Sequence, residues 1–293
     1  MKYLSLLIAA LSFACFSAFA NTLPQTQLDQ LEKSFGGKIG VYAIDTNTNQ
    51  IIMHHADERF PVQSTMKLIA VAALLKQSDK DANLLQEKIH YSEKDLTYWH
   101  PVTGQNVTAG MTLEALSEAA ISYSDNVAAN IIIKKLGGPQ AVTAFAHSIG
   151  NPSFNVEHYE GNLNSNPQNT EDTSTPKDMA ISLQKLTLGD VLTSAQRTQL
   201  VTWMRNNTTS YKRMRAGVSV GWTVADKTGS GDYGIANDIG ILWSPSCKPI
   251  VLAVYTVRNK QDAKSQDDIV AATTSTVLET FAKHDACFKA LSA

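Results

Sequence analysis

Several stretches of the chain carry residue types that could perform acyl transfer. The first is Ser64-Thr65-Met66-Lys67. A spacing of three is almost one helical turn, so the hydroxyl and the amine share a face. The apolar run at 68–75 predicts a buried helix. Ser64 would then sit in its first turn, where free N–H groups and the positive dipole end favour developing negative charge. A serine hydroxyl is a weak nucleophile until a base takes its proton. Lys67 could be that base if burial or another cation lowers its pKa. The spacing alone decides little, because Ser182-Leu183-Gln184-Lys185 repeats it on an expected helix surface. Ser64 could also be a helix N-cap.

Two further stretches are equally modest alone. Ser124-Asp125-Asn126 lies between two apolar helical runs and could simply cap the second, as could Ser153-Phe154-Asn155 elsewhere. Lys227-Thr228-Gly229-Ser230-Gly231 ends an expected strand with a cation, hydroxyls and glycines. Glycine lets a substrate lie close against a strand edge. The plain alternative is a strand end entering the turn Asp232-Tyr233-Gly234.

The combination is more specific. Ser-x-x-Lys, then Ser-Asp-Asn about 60 residues on, then Lys-Thr-Gly about 100 beyond, resembles the signature of the class A serine β-lactamases and penicillin-binding proteins. Glu160-Gly161-Asn162-Leu163-Asn164, in the long polar stretch 151–175, is similar to the class A Ω-loop motif. A structureless loop of that length in a compact domain is usually functional.

The resemblance implies a β-lactam as small-molecule substrate, opened through an acyl-enzyme, with no cofactor and no metal. Ser64 would be the nucleophile, with Lys67 and Glu160 sharing the acylation proton. Glu160, with Asn164, would activate the deacylating water by general-base catalysis. Ser124 would relay a proton to the leaving lactam nitrogen, and Asn126 would bond the substrate's side-chain amide. Lys227, Thr228 and Ser230 would bind the ring carboxylate, and the N–H groups of Ser64 and Ser230 would form the oxyanion hole. Trp99 matches the family's aromatic gate beside the cleft; an exposed residue with no substrate role is the alternative. The family also needs an arginine near the carboxylate site. Arg213 is favoured over Arg215, because it sits where other members of the family place theirs.

The chain departs from the family pattern in two places. Most members anchor the Ω-loop with an arginine paired to an aspartate; here those positions are His158 and Asp172, and the loop is about one residue short of the usual class A length. A histidine near pH ~6.5 holds an aspartate less firmly than arginine does. The expectation is a looser loop, with deacylation weakening as pH rises past the His158 pKa. Gln63 and Gly231 stand where some carbapenem-hydrolysing members have a disulfide. A roomy Gly231 beside Ser230 suggests broad cephalosporin acceptance.

The elements that must position these residues follow from periodicity. An amphipathic helix is expected at 23–34, closed by Gly36-Gly37, and a hairpin of strands at 38–45 and 50–55. Helices are expected at 65–77, 112–122, 128–136, 139–149, 176–188 and 194–206, with Pro176 suiting a first turn. Strands return at 223–227, 237–243 and 250–257, before a helix at 267–284. The economical fold is α+β: a five-stranded antiparallel sheet carrying the terminal helices, with a helical lobe beside it. The lobes would be 21–60 with 207–293, and 61–206 including an Ω-loop at about 155–173, with the site between them.

Composition narrows the setting. The net charge is −2, with no basic stripe, so neither nucleic acid nor a membrane surface is an expected partner. Residues 1–20 read as a secretory signal: Lys2, an apolar run 4–19, and Ala18-Phe19-Ala20 as a cleavage site. Cleavage after Ala20 would release a periplasmic monomer; lipidation at Cys15 is the poorer alternative. Of the three cysteines, Cys247 and Cys287 would remain. A strand near 30 Å long at ~3.3 Å per residue and a helix near 27 Å at ~1.5 Å per residue would bring them together if antiparallel. That predicts a disulfide, which export permits. A periplasmic D,D-peptidase or a penicillin-binding sensor is the nearest other reading; Glu160 and the lack of an expected membrane anchor argue against the first, and the second predicts that Glu160→Ala changes nothing. A metal hydrolase would need a His-x-His-x-Asp or His-Glu-x-x-His cluster, which the sequence lacks.

Overall fold

The computed structural model describes residues 22–289; the expected signal segment and its cut after Ala20 lie outside them. The chain begins with α1 (Thr22–Phe35), which leads into β1 (Lys38–Asp45) and β2 (Ile51–His54). A helical block follows: α2 (Met66–Gln77), α3 (Leu113–Ser122), α4 (Asn126–Leu136), α5 (Pro139–Ser148), α6 (Pro176–Thr187) and α7 (Ser194–Arg205). Then come β3 (Thr223–Gly231), β4 (Ile235–Trp243), β5 (Ile250–Val257) and α8 (Asp267–His284). The five strands form one antiparallel sheet in the order β2-β1-β5-β4-β3.

Strand alternation splits the interior in two. On β1, Ile39, Val41 and Ala43 pack with Leu28 and Phe35 of α1 and with Val270, Val277 and Phe281 of α8. Tyr42 and Ile44 point the other way, into the core built by the helical block. β5 divides likewise, Leu252 and Val254 on one face and Val251, Ala253 and Tyr255 on the other. With both faces covered, the central strands are apolar nearly throughout, unlike a one-sided sheet. α2 is buried along residues 66–75 and forms the centre of the helical block. A helix apolar all round belongs in a core.

Three of the differences from the expected boundaries concern the site. β3 runs on through the Lys-Thr-Gly segment to Gly231, pairing Thr228 with Asp238 and Ser230 with Ala236. Main-chain pairing to β4 overrides the weak strand preference of Thr-Gly-Ser-Gly. α4 starts at Asn126, capped by Asp125, whose carboxylate accepts from the Ala128 N–H. Ser64 sits in a 3₁₀ turn, Gln63–Thr65, ahead of α2, and does not cap it.

Cys247 and Cys287 form a disulfide. Among the described residues no helix is long and apolar enough to cross a membrane.

Candidate active site

The turn carrying Ser64 is fixed from several sides. The Thr65 hydroxyl donates to Val62 O at 2.6 Å and pairs with the Tyr255 hydroxyl of β5. The Val62 N–H donates to Asp172 O at 2.8 Å. β3 lies against this turn at Gly229. A Cβ there would come within 3.0 Å of Val62 O and 3.2 Å of Ser64 N, so a side chain would force the strand away from the nucleophile.

The Ser64 hydroxyl donates to Glu160 Oε1 at 2.8 Å. The same oxygen lies 3.2 Å from Lys67 Nζ. Lys67 also donates to Ser124 O at 2.6 Å and Asn126 Oδ1 at 2.7 Å, and reaches Ser124 Oγ at 3.3 Å. From β3, Lys227 donates to the same Ser124 Oγ at 3.0 Å and to Thr228 O at 2.8 Å. Two ammonium groups and one carboxylate therefore surround two serine hydroxyls.

Both lysines are fully buried. Burial lowers the Lys67 pKa, opposed by the Glu160 carboxylate. Lys227 is pushed down to about 7, by burial first and then by the Lys67 charge. Ser124 holds a left-handed backbone at φ 57°, as do Gln63 at 48°, Trp99 at 62° and Asp172 at 52°. Such conformations persist only where the surroundings enforce them.

Glu160 is held by its backbone. Its N–H donates to Asn130 Oδ1 at 2.9 Å, and Asn130 Nδ2 returns a bond to Glu160 O at 3.1 Å. Asn130 was not foreseen, although it stands four residues after Asn126 on one face of α4, a legible signal.

The loop bearing Glu160 is closed at its neck by reciprocal bonds between Asn155 and Thr173. Asp172 is its buried anchor. It accepts from the N–H groups of Glu157, His158 and Asn164, and from His158 Nδ1 at 2.8 Å. The Asp172 carboxylate raises the His158 pKa through that last bond.

The Asn164 side chain is engaged within the loop: its amide bonds the carbonyls of Asn166, Asn169 and Glu171, and its Oδ1 accepts from the Asn166 N–H, which leaves that oxygen a second lone pair. One expectation is corrected here: Gly231 is not roomy. A Cβ there would come within 2.8 Å of Gln63 Cδ and Ser165 Oγ. Gln63 fills the space, donating to Asn164 O and Ser165 Oγ.

A cleft of about 540 Å³ opens over Ser64. Ser124, Asn126 and Trp99 line one wall, and Thr228, Gly229 and Ser230 the other. Trp99 is exposed, its indole N–H tied to Tyr123 O. Tyr98, Thr208 and Thr209 also line the cleft and were not foreseen; they lie in polar connections without a motif. Asn126 Nδ2 donates to Tyr98 O. Lys227 stands behind the wall, reaching the cleft through Ser124.

Arg213 points to this site and Arg215 does not. Arg213 donates to Ser230 Oγ at 2.6 Å and to the carbonyls of Gly229 and Asn237, and is paired with Asp267. Arg215 pairs with Asp226. Among the described residues, the one grouping of His and carboxylate that could hold a metal is Glu32, His54 and His55, away from the cleft at the far edge of the sheet.

The chain is similar to known proteins over most of its length. The model of the "Beta-lactamase enzyme family" matches residues 23–281. Beta-lactamase 3 of Bacillus cereus is 50% identical over 252 residues, covering 86% of this chain and 79% of that protein. Beta-lactamase CTX-M-97 of Escherichia coli is 46% identical over 271 residues, covering 92% and 93%. The crystal structure of a β-lactamase from Desulfarculus baarsii DSM 2075 superposes with a TM-score of 0.88 at 39% identity, covering 89% of this chain and 97% of that one.

Proposed function

Since the chain belongs to the class A β-lactamases, and so hydrolyses β-lactams and confers resistance to them, we propose that it does so through an acyl-enzyme on Ser64. The observation that carries this reading is the direct hydrogen bond from Ser64 Oγ to Glu160 Oε1.

In acylation Glu160 takes the hydroxyl proton as Oγ attacks the lactam carbonyl. The N–H groups of Ser64 and Ser230 receive the developing oxyanion, each donor worth ~2.7–4 kcal/mol of barrier. The C–N bond breaks and Ser124 gives its proton to the nitrogen. Lys67 bridges Glu160 and Ser124. It passes a proton to Ser124 and recovers one from Glu160, which is again a carboxylate.

Once acylated, Ser64 Oγ no longer donates, and Glu160 Oε1 is released to activate a water. The water attacks the ester, Oγ leaves, and Glu160 returns the proton to it. Thr228 and Ser230 bind the ring carboxylate, with the charges of Lys227 and Arg213 behind them. Asn126 and Trp99 contact the side chain of the drug. Asn164 shapes the loop and, through the lone pair left on its Oδ1, helps hold the water beside Glu160.

The cleft lies between the two lobes, 21–60 with 207–293 and 61–206. The enzyme works as a monomer in the periplasm, exported by residues 1–20; the disulfide supports an oxidising compartment. The test is the mass of the protein with benzylpenicillin over time. Wild type adds and sheds the penicilloyl group within seconds, while Glu160→Ala keeps it. Equal shedding by both, or no adduct in either under stopped conditions, overturns the reading.

A further inference from the structure

We infer that Glu32, His54 and His55 form a site for a zinc-type divalent cation, separate from the catalytic cleft. His54 ends β2 and His55 follows it; Glu32 comes from α1. One ligand atom from each lies within 4.8 Å of the other two. Glu32 Oε2 is 3.2 Å from Nε2 of both histidines. A tetrahedral ion with arms of ~2.0–2.1 Å has ligand atoms about 3.3 Å apart, so these spacings suit zinc.

The outer contacts favour the same occupant. His54 Nδ1 lies 3.7 Å from Asp29 Oδ1, and His55 Nδ1 2.6 Å from Glu58 Oε1. Each ring thus meets a carboxylate at both nitrogens. A neutral imidazole has one N–H. With the His55 proton directed to Glu58 and the His54 Nδ1 side turned toward the Asp29 charge, the two Nε2 lone pairs converge on the Glu32 carboxylate, and a cation between them satisfies all three. Carboxylates behind metal-bound histidines fix the tautomer in this way. Glu32 Oε2 also accepts from the Ile39 N–H, and Glu58 is paired with Lys38, so the surrounding groups are held in place.

The site is built and reachable. The His54 side chain is 1% exposed and the His55 side chain 29%. His55 and Glu32 leave an approach for the ion and for a water as fourth ligand. β2 and the catalytic strand β3 are opposite edges of the sheet, four strand steps or about 19 Å apart. The ion would therefore join α1 to the sheet edge without entering catalysis. Since Glu32 is 22 residues from His54, no local motif announces the cluster.

The test uses untagged, full-length mature enzyme stripped with EDTA and titrated with ZnCl2 by calorimetry, then melted with and without the ion. One Zn²⁺ per chain should bind and raise the melting temperature. Glu32→Gln and His55→Asn, the latter chosen to tolerate the φ of 45°, should each weaken binding at least tenfold and abolish the melting shift. Glu58→Gln should weaken it by roughly tenfold or more through His55 orientation. His90→Ala, an exposed histidine elsewhere, should bind as wild type. Benzylpenicillin turnover should be equal with and without Zn²⁺, which keeps this result independent of the catalytic reading. Absence of saturable one-to-one binding, or binding that His55→Asn and Glu32→Gln leave intact, overturns the site and leaves an ion-paired proton network.

Discussion

Glu160 Oε1 is shared between Ser64 Oγ at 2.8 Å and Lys67 Nζ at 3.2 Å, while no bond joins the two sharers directly. The carboxylate, rather than the amine, is the group in contact with the nucleophile. Lys67 is aimed at Ser124 and Asn126 and serves as a bridge.

From that arrangement, Glu160→Gln should slow both halves of the cycle, deacylation more severely. General-base removal typically costs 10²–10⁴-fold. The expected result is a fall of that order in kcat with a stable covalent adduct, read by rapid-quench mass spectrometry. Lys67→Ala should slow acylation instead, with little adduct accumulating.

Lys227 sets a pH limit. With its pKa near 7 in the free enzyme, the ammonium that attracts the substrate carboxylate is lost as pH rises through that value. The logarithm of kcat/KM should decline above about pH 7, since that parameter reports the free enzyme. Lys227→Arg, permanently charged, should move the decline upward. The stability consequence has the opposite sense. Between about 7 and 10.5 the unfolded chain holds a proton on this amine that the folded chain does not, so this group's contribution to stability improves with rising pH.

The Ω-loop anchor should tolerate loss of the His158 charge better than loss of Asp172. The folded pKa of His158 is raised by Asp172. Its contribution is thus complete below the unfolded value of ~6.5 and disappears as pH rises through the folded one. The ring is 42% exposed, so screening leaves well under ~1 kcal/mol. Three backbone N–H groups that do not titrate still bind Asp172. Asp172→Ala strands them and should cost about 3 kcal/mol in urea denaturation. His158→Ala should lower loop protection in hydrogen exchange only at acidic pH and change deacylation less than tenfold.

Asn130 and Asn164 should separate cleanly. Asn130→Ala removes both bonds that hold the Glu160 backbone and should reduce kcat by about tenfold to a hundredfold, as misplacement of a reacting group does. Asn164→Ala should loosen the 164–171 segment in hydrogen exchange, with a smaller change in kcat.

The Cys247–Cys287 bridge closes a separation of 40 residues. Chain-entropy reasoning gives about 4 kcal/mol for a loop of that size. Cys247→Ser with Cys287→Ser should lose stability of that order in urea, with benzylpenicillin kinetics unchanged at 25 °C.

Much of this was readable from the chain. Periodicity located the helices because α3 to α7 are each amphipathic, and β5 stood out as an unbroken apolar run of strand length, since both its faces meet a core. The disulfide followed from matched lengths of β5 and α8. Motif spacing found the residues around Ser124, but contacts set by tertiary packing escaped it. Asn164 belongs to a sequence motif, yet its amide also ties together carbonyls of its own loop, which the motif does not announce. Gly231 has no side chain, yet its space is filled by Gln63 from another element. The Lys-Thr-Gly segment lacks strand preference and is made strand by pairing to β4. The Glu32, His54 and His55 cluster required α1 to be docked before any pattern existed.

The Gln63 amide, one residue from the nucleophile, grips Asn164 and Ser165 of the Ω-loop. Acylation and deacylation machinery are consequently yoked through an uncharged side chain, in addition to the Val62–Asp172 and Ser64–Glu160 bonds. A lineage under selection by bulkier drugs could not loosen the loop here without also unsettling the serine's own backbone. Adaptation at positions 63, 165 and 231 should therefore arrive as linked changes, each neutral or harmful by itself.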